Sequence, residues 1–237
     1  MYLCNTCFCR ILRYIYMMAI RFFGTLIFIL TLTFANAQEN PSLAHRMQLR
    51  FSGNVPHPVS NKAFKRSFTG IYDLNLSYRI RIFSGFSAGL SYKHVIWKTP
   101  DNKIPGLNTY GQFNGGAISI SYDHAFSETA TGFITINSGQ ARMHYYGLSM
   151  DSIPDNFQSN YTFNFGEVET GAYFYTEGNF AIGVQLGMVF TNYGFDPYKL
   201  ALDEHKAYIA SDLEGNLVQM NLGFSVVYSF LKKKGGG

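Results

Sequence analysis

Charge is scarce in this chain: Asp, Glu, Lys and Arg together make up 14% of it, against roughly 25% in ordinary soluble domains. Cysteine is scarcer still. Cys4, Cys7 and Cys9 are the three present, crowded at the N-terminus with no histidine beside them, so their C-x-x-C-x-C spacing reads as neither a metal nor a redox motif. If the leader described below is removed, no thiol remains. Disulfide scaffolds, thiol catalysis and cysteine metal sites are then all excluded. Tryptophan occurs once, as Trp97, and the seven prolines fall mostly between periodic segments. No apolar run reaches the ~20 residues that a membrane-spanning helix needs. The longest, Phe22 to Phe34, follows Arg21 and leads into Ala35-Asn36-Ala37 before Gln38, the small-x-small pattern of an export signal cut after Ala37. Residues 1–37 are therefore expected to be a signal peptide. Met17 or Met18 would make a more ordinary start for it than Met1.

What is abundant is aromatic: 17% of the residues. Beyond the cut lies 38–237, a length expected to fold as one domain. Its basic and acidic residues nearly cancel once Arg10, Arg13 and Arg21 are set aside. No basic stripe or basic helix stands out, so nucleic acid is not an expected partner.

Apolar residues recur at every second position, which is the period of a β-strand. From Val218 to Phe230 one face reads Val218, Met220, Leu222, Phe224, Val226, Tyr228 and Phe230, and the other Gln219, Asn221, Gly223, Ser225, Val227 and Ser229. The same alternation runs from Phe180 to Thr191, Tyr72 to Ile82, Phe86 to Val95, through Ile118, Ile120 and Tyr122, and through Met47, Leu49 and Phe51. Two more strands are needed by the spacing but carry a mixed pattern. Around 130–146 Phe133 falls opposite Gly132, Ile134 and Ile136; around 162–175 Phe163 and Phe165 share parity with Glu167 and Glu169. A bulge, or a passage from rim to bilayer, is the expected reason for the second.

Connector lengths alternate. Short ones lie near Ser84-Gly85, Phe126-Ser127-Glu128 and Glu177-Gly178-Asn179, and long polar ones span about 54–68, 98–110, 147–161 and 194–215, with Pro56, Pro58, Pro100, Pro105, Pro154 and Pro197 among them. Eight antiparallel strands with tight turns at one end and long loops at the other describe an up-and-down transmembrane β-barrel. A soluble barrel with an apolar interior would also alternate, but its polar face would meet water and carry Lys and Glu. Here that face is mostly Gly, Ser, Asn, Gln and Thr, small groups suited to a crowded lumen. The large side chains are left to face hydrocarbon, where a closed sheet is required because unpaired backbone groups are costly.

On its export signal, its eight alternating segments and a last strand ending in Tyr228-Ser229-Phe230, the chain resembles the small outer-membrane barrels typified by the OmpA N-terminal domain, OmpX and OmpW. The resemblance covers about 43–230. It implies an outer-membrane location with both termini periplasmic and the long loops extracellular. Outer-membrane lipids and lipopolysaccharide would surround it, and the barrel-assembly machinery would recognise its aromatic-terminated strand. Lys232-Lys233-Lys234 continue past that strand, whereas many members stop at the aromatic residue.

Arg50, Asp73, Arg79, Arg81, Lys93, Asp123, Glu167 and Glu169 are expected to point inward. Eight strands enclose a space that side chains just fill, so an ion-paired structural plug is favoured over a proton relay or catalytic cluster. Glu167 and Glu169 as paired carboxylates are the catalytic alternative. The histidines at 45, 57, 94, 124, 144 and 205 lack metal-ligand spacing, and no metal or cofactor is expected. Some barrels of this kind modify lipid A, but no segment matches a signature for that chemistry. His94 and Trp97 read as an interfacial rim pair. Gly115-Gly116 and Ser138-Gly139 read as strand glycines, not phosphate loops.

Overall fold

The computed structural model describes residues 47–104, 108–147, 160–176, 179–204 and 206–230. The leader and its cut, His45, Pro105, Pro154, His205 and the lysine tail lie outside them. The described chain forms eight strands: β1 (Met47–Pro58), β2 (Thr69–Phe83), β3 (Phe86–Lys98), β4 (Tyr110–Ala125), β5 (Ala130–Tyr146), β6 (Asn160–Tyr175), β7 (Phe180–Thr191) and β8 (Val218–Phe230). Each pairs antiparallel with its neighbours in sequence, and β1 pairs with β8, so the sheet closes into a barrel without an edge strand.

The stagger follows from the pairing. Starting at Met47 and stepping through Ile80, Ala88, Ile120, Ile136, Val168, Met188 and Met220, the register returns to β1 at His57, ten residues further along. With strands ~4.8 Å apart and ~3.3 Å per residue, a stagger of ten over eight strands tilts them by about 40°. Residues distant in sequence are thereby brought face to face across a narrow lumen.

The period-two pattern sorts the side chains as the sequence reading expects. Leu222, Phe224, Ile118, Ile120, Ile182, Val184, Leu90 and Ile80 are exposed on the outer surface. Below them the tight-turn end carries stacked or tilted rings of Phe83, Phe86 and Tyr122, and of Phe180 and Tyr228, the amphipathic belt expected where hydrocarbon meets head groups. The β2–β3 turn needs Gly85, whose φ of 73° lies in the left-handed region that side chains resist.

Three expectations about boundaries fail. β6 pairs with β5 and β7 without a register shift, so no bulge explains the shared parity of Phe163, Phe165, Glu167 and Glu169. All four are buried inside, because the lumen itself changes from aromatic to ionic along that strand. The irregularities instead fall at both ends of β2, between Gly70 and Tyr72 and between Arg81 and Phe83. The first loop begins later than expected, since β1 continues through Pro58. Beyond Asn54 β1 keeps β8 but has no partner in β2. Because Val59 N donates toward β8, the nitrogens of Pro58 and Pro56 face the unpaired side, where a missing donor costs the ladder nothing.

The third failure concerns the loops. The segments 59–68, 192–204 and 206–217 are not simply polar; they fold inward over the barrel mouth. Helix α1 (Lys62–Ser67) starts at Asn61, whose side chain accepts from Phe64 N and whose φ of 52° an asparagine tolerates. Helix α2 (Ala210–Leu213) and two 3-10 turns, Pro197–Leu200 and Leu202–Glu204, shape the last loop.

Candidate functional site

The lumen and the cap on its loop end make up the candidate site. Two layers can be told apart, and the strands aim both. Toward the loop end, β3 sends in Val95 and Trp97, β4 Phe113, β5 Met143 and Tyr145, and β6 Phe163 and Phe165. The loops complete this layer with Phe64, Phe68, Ile104, Tyr193, Phe195, Leu200 and Leu202. Phe64 stacks on Phe68 at 4.9 Å and meets Trp97 and Phe195 edge-on at 5.1 and 5.2 Å. Gly115 makes room for the layer, since a Cβ there would stand 2.8 Å from the Phe165 ring.

Polar contacts fasten the loops to each other. Ser67 Oγ and Tyr208 OH are 2.7 Å apart, Asn61 donates to the Gly215 carbonyl at 2.9 Å, and Arg66 pairs with Asp212. Lys103 Nζ donates to the carbonyls of Lys65 and Phe68, and Lys206 Nζ to those of Arg66 and Lys103. Two ammonium groups thus close on the carbonyl end of α1. Burial, then the neighbouring Lys206 and Lys65, hold the Lys103 pKa below its ordinary value. Burial pushes the Tyr208 phenol up.

Deeper in the barrel the side chains turn ionic. Lys93 on β3 reaches Asp73 Oδ2 at 2.9 Å and Glu167 Oε1 at 2.6 Å. Arg50 on β1 pairs with Glu169 on β6 and donates to Tyr173 OH and Ser77 Oγ, each at 3.3 Å. Asn137 donates to Glu167 at 3.0 Å, and Asn75 to Glu169 at 3.3 Å. Such pairing offsets the heavy cost of withdrawing charges from water. Arg79 donates to Ser121 Oγ at 2.9 Å, and that hydroxyl reaches Asp123. All eight residues singled out in the sequence face the lumen, with Arg81 half-buried at the tight-turn end. Glu167 ends on Lys93, which it shares with Asp73, and Glu169 ends on Arg50.

The sequence reading misplaces Trp97. It is not a rim anchor but is fully buried, at 0% exposure, because it shares parity with Lys93 and Val95. His94 does face outward, with Nδ1 2.6 Å from Asn114 Oδ1 and Nε2 3.4 Å from Tyr72 OH. The reading also passes over Phe64, Phe68, Phe195, Leu200 and Leu202. A signal for the first two was present: Asn61 as a helix cap, then two phenylalanines four apart on one helical face. Gly115, Gly116, Ser138 and Gly139 lie in regular pairing between β4 and β5. Among the described residues no group of three or more His, Cys, Asp or Glu is placed to hold a metal ion.

A closed eight-stranded up-and-down barrel, apolar outside and charged within, has the fold of the small bacterial outer-membrane barrels. Among solved structures the chain is similar to Neisserial surface protein A (12% identity, 78% of this chain and 97% of that one, TM-score 0.48). It is also similar to the N-terminal β-barrel domain of OprF from Pseudomonas aeruginosa (12%, 78% and 98%, TM-score 0.43). OprG from the same organism gives 10% identity over 80% and 97%, with a TM-score of 0.42. No family model and no curated protein matches the sequence.

Proposed function

We propose that the chain is a non-enzymatic outer-membrane barrel with a closed lumen, acting through the folded surface of its loop end in envelope structure or in surface binding. The observation that carries this is the double closure: an ion-paired layer crosses the lumen, and a loop-built aromatic cap covers it. Residues 1–37 serve export, with the cut after Ala37. Both termini then lie in the periplasm and the long loops outside the cell. Outer-membrane lipids and lipopolysaccharide surround the apolar belt, and the barrel-assembly machinery acts on the strand ending at Phe230. Planar-bilayer recording tests the closure, with no stable large conductance expected; a persistent open channel refutes it. In detergent the folded barrel is expected to migrate anomalously on gels until boiled.

A lipid A-modifying enzyme is the second reading, favoured by His94, which faces outward near the loop end and is oriented by Asn114. Orientation of an imidazole by a side-chain oxygen is what a general base needs. No serine or threonine hydroxyl among the described residues bonds to it, so the interfacial role stands ahead. Mass spectrometry of lipid A from cells with and without the protein separates the two: unchanged acylation supports the non-enzymatic barrel. Carriage of a small apolar molecule through an opening along 130–175 is not favoured, because the β5–β6 seam is paired continuously from Ala130 to His144.

A further inference from the structure

The tight-turn end of the lumen differs from the rest in how its charges are answered. Arg79 is buried, and one edge of its guanidinium, Nε with Nη2, has no hydrogen-bond partner among the described residues. Its remaining nitrogen, Nη1, is the one held by Ser121. Arg81, two residues nearer the turn on the same lumen face, likewise has Nε and Nη1 unanswered. The hydroxyls of Thr131 and Ser225, inward-facing on β5 and β8, are also buried without partners among the described residues.

The charge count gives these open donors a sign. Arg50 is matched by Glu169, while Lys93 faces two carboxylates, Asp73 and Glu167. What remains at the turn end is Arg79 and Arg81 against Asp123 alone, an excess of one positive charge. Asp123 does not pair with either arginine within ion-pair distance; its Oδ1 accepts from Ser121 and its Oδ2 is open. The Nε–Nη2 edge of a guanidinium is the geometry that grips a carboxylate or phosphate with two parallel bonds.

We infer that the turn end of the lumen is a binding site for a small oxyanion, of phosphate or carboxylate class, gripped side-on by Arg79 and neutralised by Arg79 and Arg81 together. The half-buried Arg81 marks the side from which the anion enters. Under the reading given above that side is the periplasm, and this is the one point at which the inference rests on it.

The test is calorimetric titration of the full barrel in detergent micelles with inorganic phosphate and, separately, with acetate. Saturable binding of at least one is expected, weakened tenfold or more by R79K, which keeps the charge and loses the fork, and weakened also by R81Q. The R81Q variant keeps the test usable if R79K does not fold. K206Q, at the opposite end, is expected to bind as the unaltered chain does. The inference is overturned if neither anion saturates, or if binding survives both arginine changes. Failure here leaves the conductance result untouched, and an open channel would show in conductance whatever the titration gives.

Discussion

The two layers of the lumen share one inward parity and yet are built in different ways. The ionic layer comes from strands alone: Arg50, Asp73, Lys93, Glu167 and Glu169 sit on four strands and meet once the barrel closes. The aromatic layer is shared between strands and loops, with Trp97 and Phe113 below and Phe64, Phe68 and Phe195 folded down from above. Closing the sheet completes the first layer but not the second. A buried charge needs one well-aimed partner, which register can supply. An apolar surface needs coverage, which a narrow barrel can provide at an open mouth through its loops alone.

The largest effect is expected from stripping the ionic layer of its central cation. Lys93→Met leaves Asp73 and Glu167 buried without their ammonium and is expected to cost roughly 3–5 kcal/mol, read as a lowered urea midpoint for the whole barrel. Next comes the cap. Phe64→Ala is expected to cost about 3 kcal/mol, but locally: emission from the lone tryptophan, Trp97, shifts to the red while heat-modifiable gel migration persists. Should Phe64→Ala abolish that migration as well, the two layers are one cooperative unit.

Asn61→Ala removes the α1 cap and the bond to Gly215, and about 1 kcal/mol of cap stability is expected to go with it. Limited proteolysis of the first loop would register this. The smallest effect is one of pH. Because the Lys103 pKa is lowered in the folded chain, its charged form is a burden to the cap at neutral pH. That burden is relieved as pH rises through the folded pKa toward the unfolded value near ~10.4. Trp97 emission under mild urea should report a firmer cap as pH rises toward but not beyond ~10, where the raised Tyr208 acts in the opposite sense, and K103M should reduce the change.

Much of this was legible without coordinates, and what was missed has identifiable causes. The outward Leu222, Phe224 and Ile182 and the inward Asn221, Ser225 and Gln185 followed from counting by twos. Phe163 and Phe165 defeated the count because polarity was taken as the mark of the interior, whereas this lumen is apolar near its mouth. Trp97 was misplaced for the same reason: its chemistry suggested an interface, but its parity with Lys93 already placed it inside. Of the cap residues, Phe64 and Phe68 stand four apart on one helical face, whereas those in 192–204 and 206–217 carry no period, since these segments are built from short turns.

Local periodicity was enough to say which side of the regularly alternating strands faces outward and which meets the lumen, because alternation is a property of extended backbone. The pairings across the lumen came from closure of the barrel. Lys93 and Glu167 stand 74 residues apart and become neighbours through a stagger of ten around the closed sheet. The described loop segments were fixed by the apolar surface they had to cover.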